Sequence, residues 1–252
     1  MIIDQILQGI VNERKDEAHR SPLRMSNSGK CAKAIAYQYH GFPSEPLPPR
    51  SLMVFRLGHT IESEVKELIK KYCSHLNITY PITTITYKVG DQIIEGHVDG
   101  FIDNDGILEV KSINGMRFKM LDREGVPPDY IKQCVSYLKA TGRKYVLVLF
   151  YCKDTSHLKE MIIKYDVEID QEIEARFLSV IQSTKENLPA REYTPLKSGQ
   201  LPWQCSYCSF TAPCWPDYEL KFDKNNKPQW VKKKNIPDID FDKEANEDWQ
   251  YK

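Results

Sequence analysis

The sequence lacks a surplus of charge, a long apolar run and any internal repeat. Its 35 lysine and arginine residues balance its 35 aspartate and glutamate residues, so the formal net charge is zero. A neutral chain does not attract nucleic acid through its overall charge, so any path for DNA must be a local basic groove. No apolar run approaches the roughly 20 residues that a membrane-spanning helix needs, and we therefore expect no membrane partner.

Cysteine is present, but the pattern of a secretory signal peptide is not. The chain has seven cysteines among 252 residues. This combination predicts a reducing compartment, the cytoplasm of a bacterial, archaeal or virus-infected cell, in which thiolates remain available to bind metal. The length permits a real apolar core, in one large domain or in two small ones.

Helical and strand periodicities alternate along the chain, which predicts an α/β fold with a central mixed sheet flanked by helices. Beyond residue 216 apolar residues become sparse and periodicity is lost, so residues 217–252 are predicted to form a polar, extended tail. The predicted helices cover about 1–19, a segment containing Cys31 and ending at Gly41, Gly58 to Cys73, Gly115 to Leu121, a segment beginning at Pro128, and 167–187. The predicted strands lie within 78–89, 92–102, 107–112, 145–152 and 160–165.

Residues 94–112 form the most informative pattern. Two apolar-rich stretches flank the turn 104–106, which predicts a β-hairpin with Gly106 in the left-handed conformation. Asp99 would then pair with Lys111, and because side chains alternate along a strand, Glu109 would share their face. Two carboxylates bind a hard divalent cation, while a lysine positions water or stabilises charge on a phosphate.

Four cysteines form a second pattern. Cys205 and Cys208 have the Cys-x2-Cys spacing, Cys214 follows after five residues, and Cys31 lies far upstream. This is metal-ligand spacing in which one short segment supplies three thiolates, and taken alone it fits a four-cysteine zinc site or an iron–sulfur site. The other three cysteines lie in apolar runs and are interpreted as core residues.

Two further polar patterns lie on predicted helices. His59 follows Gly58 and falls well off the apolar stripe of its helix, beside Glu62. Gln133 and Tyr137 are four residues apart in a helical segment, so they share one helix face.

The joint order and spacing of these motifs over residues 23–216 resemble the PD-(D/E)XK superfamily, and in particular its RecB-like iron–sulfur nucleases. That group includes the AddB nuclease domain and the RecB-like exonucleases of CRISPR adaptation. The literal Pro-Asp of the motif is absent, because Val98 precedes Asp99. The resemblance implies a restriction-endonuclease-like core over residues 1–216, in which a [4Fe–4S] cluster staples the two ends of the domain together.

The same resemblance assigns roles to individual residues. It implies a metal-dependent DNA exonuclease that acts on single strands or duplex ends, working with a separate helicase or with a recombination or CRISPR-adaptation partner. The implied cluster ligands are Cys31, Cys205, Cys208 and Cys214; the implied ligands of Mg²⁺ or Mn²⁺ are His59, Asp99, Glu109 and the main-chain carbonyl of Val110; Lys111 would act on the attacking water, and Gln133 and Tyr137 on the DNA strand.

Two other functions are compatible with the sequence. One is a non-catalytic DNA-binding or assembly subunit that keeps the fold, although the intact acidic and lysine motif argues against it. The other is a zinc-ribbon binding module, although the distant Cys31 argues against a local ribbon. For the nuclease, the cations expected to contact phosphate are Lys111, Arg117, Lys119, Lys132 and Arg143.

Overall fold

The computed structural model describes residues 1–15, 21–224 and 228–233. The chain divides into two compact units, Met1–Glu192 and Tyr193–Lys252. The helices of the first unit are α1 Ile2–Lys15, α2 Ala32–Tyr39, α3 Pro49–Tyr72, α4 Gly115–Glu124, α5 Pro128–Thr141 and α6 Val167–Ile181; its strands are β1 Ile78–Thr79, β2 Ile85–Val89, β3 Gln92–Gly96, β4 Gly100–Ile102, β5 Gly106–Ile113, β6 Tyr145–Cys152 and β7 Leu158–Lys164.

A five-stranded mixed sheet in the order β1-β4-β5-β6-β7 forms the centre of the first unit, and β2 and β3 form a separate two-stranded ribbon. β5 and β6 pair in parallel, whereas the other neighbours in the large sheet are antiparallel. A parallel pair needs a long crossover connection, and here α4 and α5 supply it. The prediction of an α/β fold with a central mixed sheet is confirmed.

Helices cover both faces of the sheet at β5. Ile107 packs in a core with Val135 of α5 and Ile173 of α6, whereas Leu108 and Val110 pack on the other side with Val65 of α3. A strand buried on both faces has an almost continuous apolar sequence. Charged residues within such a strand are therefore exceptional, and they mark the place where β5 borders a polar site.

The β4–β5 hairpin forms in a register different from the predicted one. Ile102 pairs with Gly106 and Gly100 with Leu108, so the turn is 103–105 and Gly106 is the first residue of β5. Asp103 takes the positive φ of 45°, a conformation that aspartate tolerates better than most residues. Gly106 is constrained in a different way, since a Cβ there would lie 2.5 Å from the Tyr145 ring and that ring would have to move. The shift is two residues, so the predicted sharing of faces is preserved.

Two predicted helix starts also need correction. α3 begins at Pro49 rather than at Gly58, because proline lacks only an amide that the first helical turn leaves unpaired. α2 begins at Ala32, with Cys31 as the residue immediately before it. Residues 16–19 of the first predicted helix lie outside the described residues.

The described residues of the second unit form two four-residue helices and two antiparallel strands. The helices are α7 Trp203–Ser206 and α8 Thr211–Cys214, and the antiparallel strands are β8 Tyr218–Phe222 and β9 Pro228–Lys232. Tyr218 and Trp230 are only 6% and 5% exposed. The predicted tail without regular structure is therefore wrong for 218–222 and 228–232, where the strands are too short to show a readable period. Residues 234–252 lie outside the described residues, and whether 217–252 is a separate domain stays a prediction.

Within the part of the chain that the structure describes, no helix has both the length and the apolar character needed to cross a membrane.

Candidate active site

A cavity of about 170 Å³ in the first unit brings together most of the residues predicted for the site. The predicted residues that line it are Asp99, Glu109, Val110, Lys111, Gln133 and Tyr137. The lining residues that sequence reasoning did not assign to the site are Arg24, Ser26, Glu62, Gly96 and His97.

Glu109 and Lys111 lie on the same face of β5, as strand alternation predicts. The Lys111 ammonium is 2.5 Å from Glu109 Oε1, and it donates to Gln133 Oε1 over 3.2 Å. Gln133 Nε2 donates to the same Glu109 oxygen over 3.1 Å. Glu109 is 3% exposed, yet its Oε2 atom has no hydrogen-bond partner among the described residues. A buried carboxylate oxygen without a donor is exceptional in a folded protein and is suited to bind a cation.

Gln133 and Tyr137 lie one helical turn apart on α5 and hold each other in place. Gln133 Nε2 also donates to Tyr137 Oη over 2.5 Å, and that hydroxyl donates to the main-chain carbonyl of His97 over 2.8 Å. Burial raises the pKa of Tyr137 well above its ordinary value, so the hydroxyl remains a neutral donor. The chain of bonds from His97 through α5 to Glu109 fixes the orientation of the carboxylate.

Asp99 is the residue just before β4, and it lines the cavity. Its Oδ2 atom accepts the Val110 amide over 2.7 Å, and its Oδ1 atom is 3.4 Å from the ammonium of Lys66. Burial, with the nearby charges of Glu109 and Glu62, raises the pKa of Asp99 from 3.8 to about 8. A buried carboxyl group among other acids retains a proton unless a cation replaces it.

The charge state of Lys111 limits the chemical roles that its side chain can take. Burial alone would favour the neutral amine, but the adjacent Glu109 outweighs it and raises the pKa of Lys111. The side chain therefore remains an ammonium group and cannot remove a proton from water. Its chemistry is that of a fixed positive charge that stabilises an anion or orients a water molecule.

The sequence suggested that His59 of α3 is a site residue, but the α3 side chain at the cavity is that of Glu62. Glu62 lines the cavity, whereas His59 is not among the described residues that do so, and its side chain is 78% exposed. The Nδ1 atom of His59 is 3.8 Å from Glu62 Oε2. Helical spacing is the signal that could have found Glu62, because residues three and four apart share a helix face.

Of the cations expected near the site, Lys111 lines the cavity, whereas Lys132 and Arg143 have other partners. Lys132 pairs with Glu172 over 2.8 Å, and Arg143 donates to the main-chain carbonyls of Asp103 and Gly106 at the hairpin turn. Arg24 lines the cavity instead. No motif includes Arg24, which lies between the first two predicted helices and reaches the site through tertiary contact.

The three clustered cysteines, Cys205, Cys208 and Cys214, lie in the second unit. The Cys208 amide donates to the Cys205 carbonyl over 3.0 Å, and Cys208 Sγ accepts the Phe210 amide over 3.5 Å. Thr211 Oγ1 donates to the main-chain carbonyls of Cys205 and Cys208. Cys31 belongs to the first unit. Within 1–15, 21–224 and 228–233, no three histidine, cysteine or acidic side chains stand close enough together to hold a metal ion.

Comparison with known proteins shows the fold. The crystal structure of SSO0001 is similar to this chain, with a TM-score of 0.56, 16% identity, and coverage of 85% of this chain and 96% of that one. An alkaline exonuclease from Laribacter hongkongensis has a TM-score of 0.41 and 21% identity, with coverage of 50% and 68%. A phage-related exonuclease from Haemophilus somnus 129PT has a TM-score of 0.43 and 12% identity, with coverage of 63% and 91%.

The likeness to SSO0001 establishes a shared fold, and the two exonuclease likenesses are too distant to support a conclusion. No protein-family model and no curated protein matches the sequence.

Proposed function

We propose that this protein is a metal-dependent deoxyribonuclease of the RecB-like PD-(D/E)XK group, acting as an exonuclease on single strands or duplex ends. The observation that carries this proposal is the buried Glu109 Oε2 atom, which has no donor and belongs to a cavity shared with Asp99 and Lys111. The proposal is otherwise supported by the motif order in the sequence.

The donor set fits Mg²⁺ or Mn²⁺. Carboxylate and carbonyl oxygens suit hard divalent cations, which thiolate-rich sites do not. Asp99 and Glu109 would hold the cation with the Val110 carbonyl, Glu62 is available at the same cavity, and His59 is a ligand by resemblance only. A bound cation would polarise the phosphate and lower the pKa of a coordinated water molecule.

The remaining side chains stabilise charge and fix geometry. The Lys111 ammonium, held between Glu109 and Gln133, would stabilise the negative charge that develops on a phosphate under attack. Gln133 and Tyr137 keep that arrangement rigid through the His97 carbonyl. Arg24, at the same cavity, would bind a phosphate of the strand.

We further propose that Cys31, Cys205, Cys208 and Cys214 hold a structural [4Fe–4S] cluster. Three of the four lie in one short segment, and Cys208 Sγ accepts an amide hydrogen bond, an interaction that stabilises a metal-bound thiolate. Four thiolates also fit Zn²⁺, so metal analysis of anaerobically purified protein decides between the two.

Cleavage of labelled single strands and duplexes in Mg²⁺, in Mn²⁺ and in chelator tests the proposal. We expect cation-dependent cleavage that falls by about 10³-fold in Glu109→Gln, because the amide is a poor cation ligand. Glu160→Gln, an exposed change on β7, is the matched control and should cleave normally. Full activity in chelator, or wild-type rates in Glu109→Gln, would contradict the mechanism; a binding-only subunit would retain DNA and cleave none.

A further inference from the structure

Lys66 lies behind the acidic side of the cavity and contacts two of its acids. Its ammonium is 2.5 Å from Glu62 Oε1 and 3.4 Å from Asp99 Oδ1. The side chain is 21% exposed, and Lys66 is not among the described residues that line the cavity. It therefore acts on the site through these two carboxylates.

These contacts leave the three acids in unequal states. Both oxygens of Asp99 have partners, since Val110 donates to Oδ2 and Lys66 lies at Oδ1. Oε1 of Glu62 is paired with the same lysine. Glu109 differs, because its Oε2 atom is buried without a donor. Glu109 Oε2 is thus a buried carboxylate oxygen open to a cation, and a cation that used both Glu62 Oε1 and Asp99 Oδ1 would first have to displace Lys66.

The charges of the side chains around the cavity also favour a single cation. Three acidic and two basic side chains line the cavity, and Lys66 adds a third positive charge beside them. One divalent cation then leaves a modest positive charge that a phosphate offsets. A second divalent cation would lie next to a fixed ammonium group, and like charges in a poorly solvated site repel strongly. Sites that use two cations place them about 3.5–4 Å apart, which requires unpaired carboxylates between them.

We propose that Lys66 is a positioning residue that restricts this carboxylate cluster to a single divalent cation. The inference rests on the proposed metal-dependent function and specifies how many cations that function uses. Lys66 does so by pairing with Glu62 and by lying 3.4 Å from Asp99 Oδ1, which places a fixed positive charge where a second cation would have to bind.

Titration of the full-length, anaerobically purified protein with Mn²⁺, by calorimetry and electron paramagnetic resonance, tests the proposal. We expect one Mn²⁺ per chain in the wild type and two, magnetically coupled, in Lys66→Met, which keeps the apolar stem but removes the charge. Lys66→Arg should restore one. Lys70→Met is the control, since Lys70 lies one turn further along α3 and pairs with the exposed Glu67 over 2.6 Å.

Two Mn²⁺ ions in the wild type, or one in Lys66→Met with unchanged affinity, would overturn the role of Lys66. If Lys66→Met does not fold, Lys66→Gln is used in its place. A wild type that binds two Mn²⁺ ions refutes the proposal whatever the variants do. Failure of the proposed function gives a different result. A wild type that binds no Mn²⁺ and cleaves in chelator refutes metal-dependent cleavage, whereas two bound ions with Mn²⁺-dependent cleavage refute Lys66 alone.

Discussion

The carboxylate cavity of the first unit and the cysteine segment of the second are organised in different ways. In the cavity, side chains from α3, β5 and α5 and from the residue before β4 are held by a connected set of hydrogen bonds and ion pairs. The cysteines instead follow one another along a short segment, in which Cys208 donates to Cys205 and Thr211 donates to the Cys205 carbonyl. Long-range contacts between several elements fix the first region, whereas the second is built on one continuous segment.

The apolar support of the two regions differs as well. Fully buried residues such as Val135, Phe150 and Phe177 pack around the first region in a large core. Among the described residues, the core of the second unit has five buried members, Leu201, Cys205, Trp215, Tyr218 and Trp230. Small cores generally need a metal or a disulfide for stability. We therefore expect the carboxylate site to keep its form without a cation, and the second unit to depend on the proposed cluster.

The largest expected effect is the loss of catalysis in Asp99→Asn without loss of the fold. The amide oxygen still accepts the Val110 hydrogen bond, so the backbone geometry is retained. Cleavage should fall by about 10³-fold, because a negatively charged cation ligand has been removed. Cleavage rates and a circular-dichroism melting curve of the same preparation measure both effects. A collapsed melting temperature would show that this region is not preformed by the chain.

Cys205→Ala should have the opposite profile, with loss of bound metal and of order in the second unit. The sequence offers a selective probe, since all four tryptophans lie beyond residue 192. We expect iron to be lost and tryptophan emission to shift to the red, because Trp215 and Trp230 are buried beside Cys205 in the same small core.

Cys73→Ala is the matched control, because Cys73 is a free thiol outside the predicted ligand set. It should retain the iron and the wild-type emission. Stoichiometric zinc without iron in anaerobically prepared protein would favour the zinc-ribbon function. An unchanged iron content in Cys205→Ala would remove that residue from the ligand set.

Periodicity explains what could be predicted from the sequence. Strand alternation placed Glu109 and Lys111 on one face, and helical spacing placed Gln133 beside Tyr137. Asp99 lies near them although the predicted register was shifted by two residues, because a shift of two keeps the face. The turn itself was wrong because Asp103, rather than Gly106, takes the positive φ.

Tertiary contacts explain what could not be predicted. Lys66 contacts the site only because α3 packs beside Asp99. Arg24 lines the cavity from a segment outside every motif. β8 and β9 have few buried positions, so their pattern in the sequence resembles that of a polar tail. The roles assigned to the ligands and to the DNA-contacting residues stay predictions.

Trp230→Ala tests whether the hairpin after residue 217 supports the second unit. Trp230 is 5% exposed, and removing a buried tryptophan side chain costs about 3–5 kcal/mol. Urea unfolding followed by tryptophan emission should show this loss. Trp203→Ala, where the side chain is 58% exposed, is the control and should change stability by only a few tenths of a kcal/mol. Equal effects of the two changes would show that the hairpin is a dispensable tail.

The last expected effect is a pH dependence of stability that arises from Asp99. Its pKa is raised from 3.8 to about 8 in the fold, so between these values the folded protein binds a proton that the unfolded chain has released. Stability of the metal-free protein should therefore fall as pH rises from about 4 towards 8. Mg²⁺ should reduce this fall, because the cation replaces the proton that the carboxyl would otherwise retain.

Melting temperatures of the chelated protein at several pH values between 5 and 8, with Asp99→Asn beside the wild type, measure this contribution. The slope should be shallower in Asp99→Asn, which has no proton to release at this position. Asp91→Asn, an exposed change in the turn between β2 and β3, should keep the wild-type slope. Identical slopes in wild type and Asp99→Asn would mean that Asp99 is already ionised without metal. The carboxylate cavity would then resemble an ordinary solvated surface, and the contrast between the two regions would be smaller than their hydrogen bonds indicate.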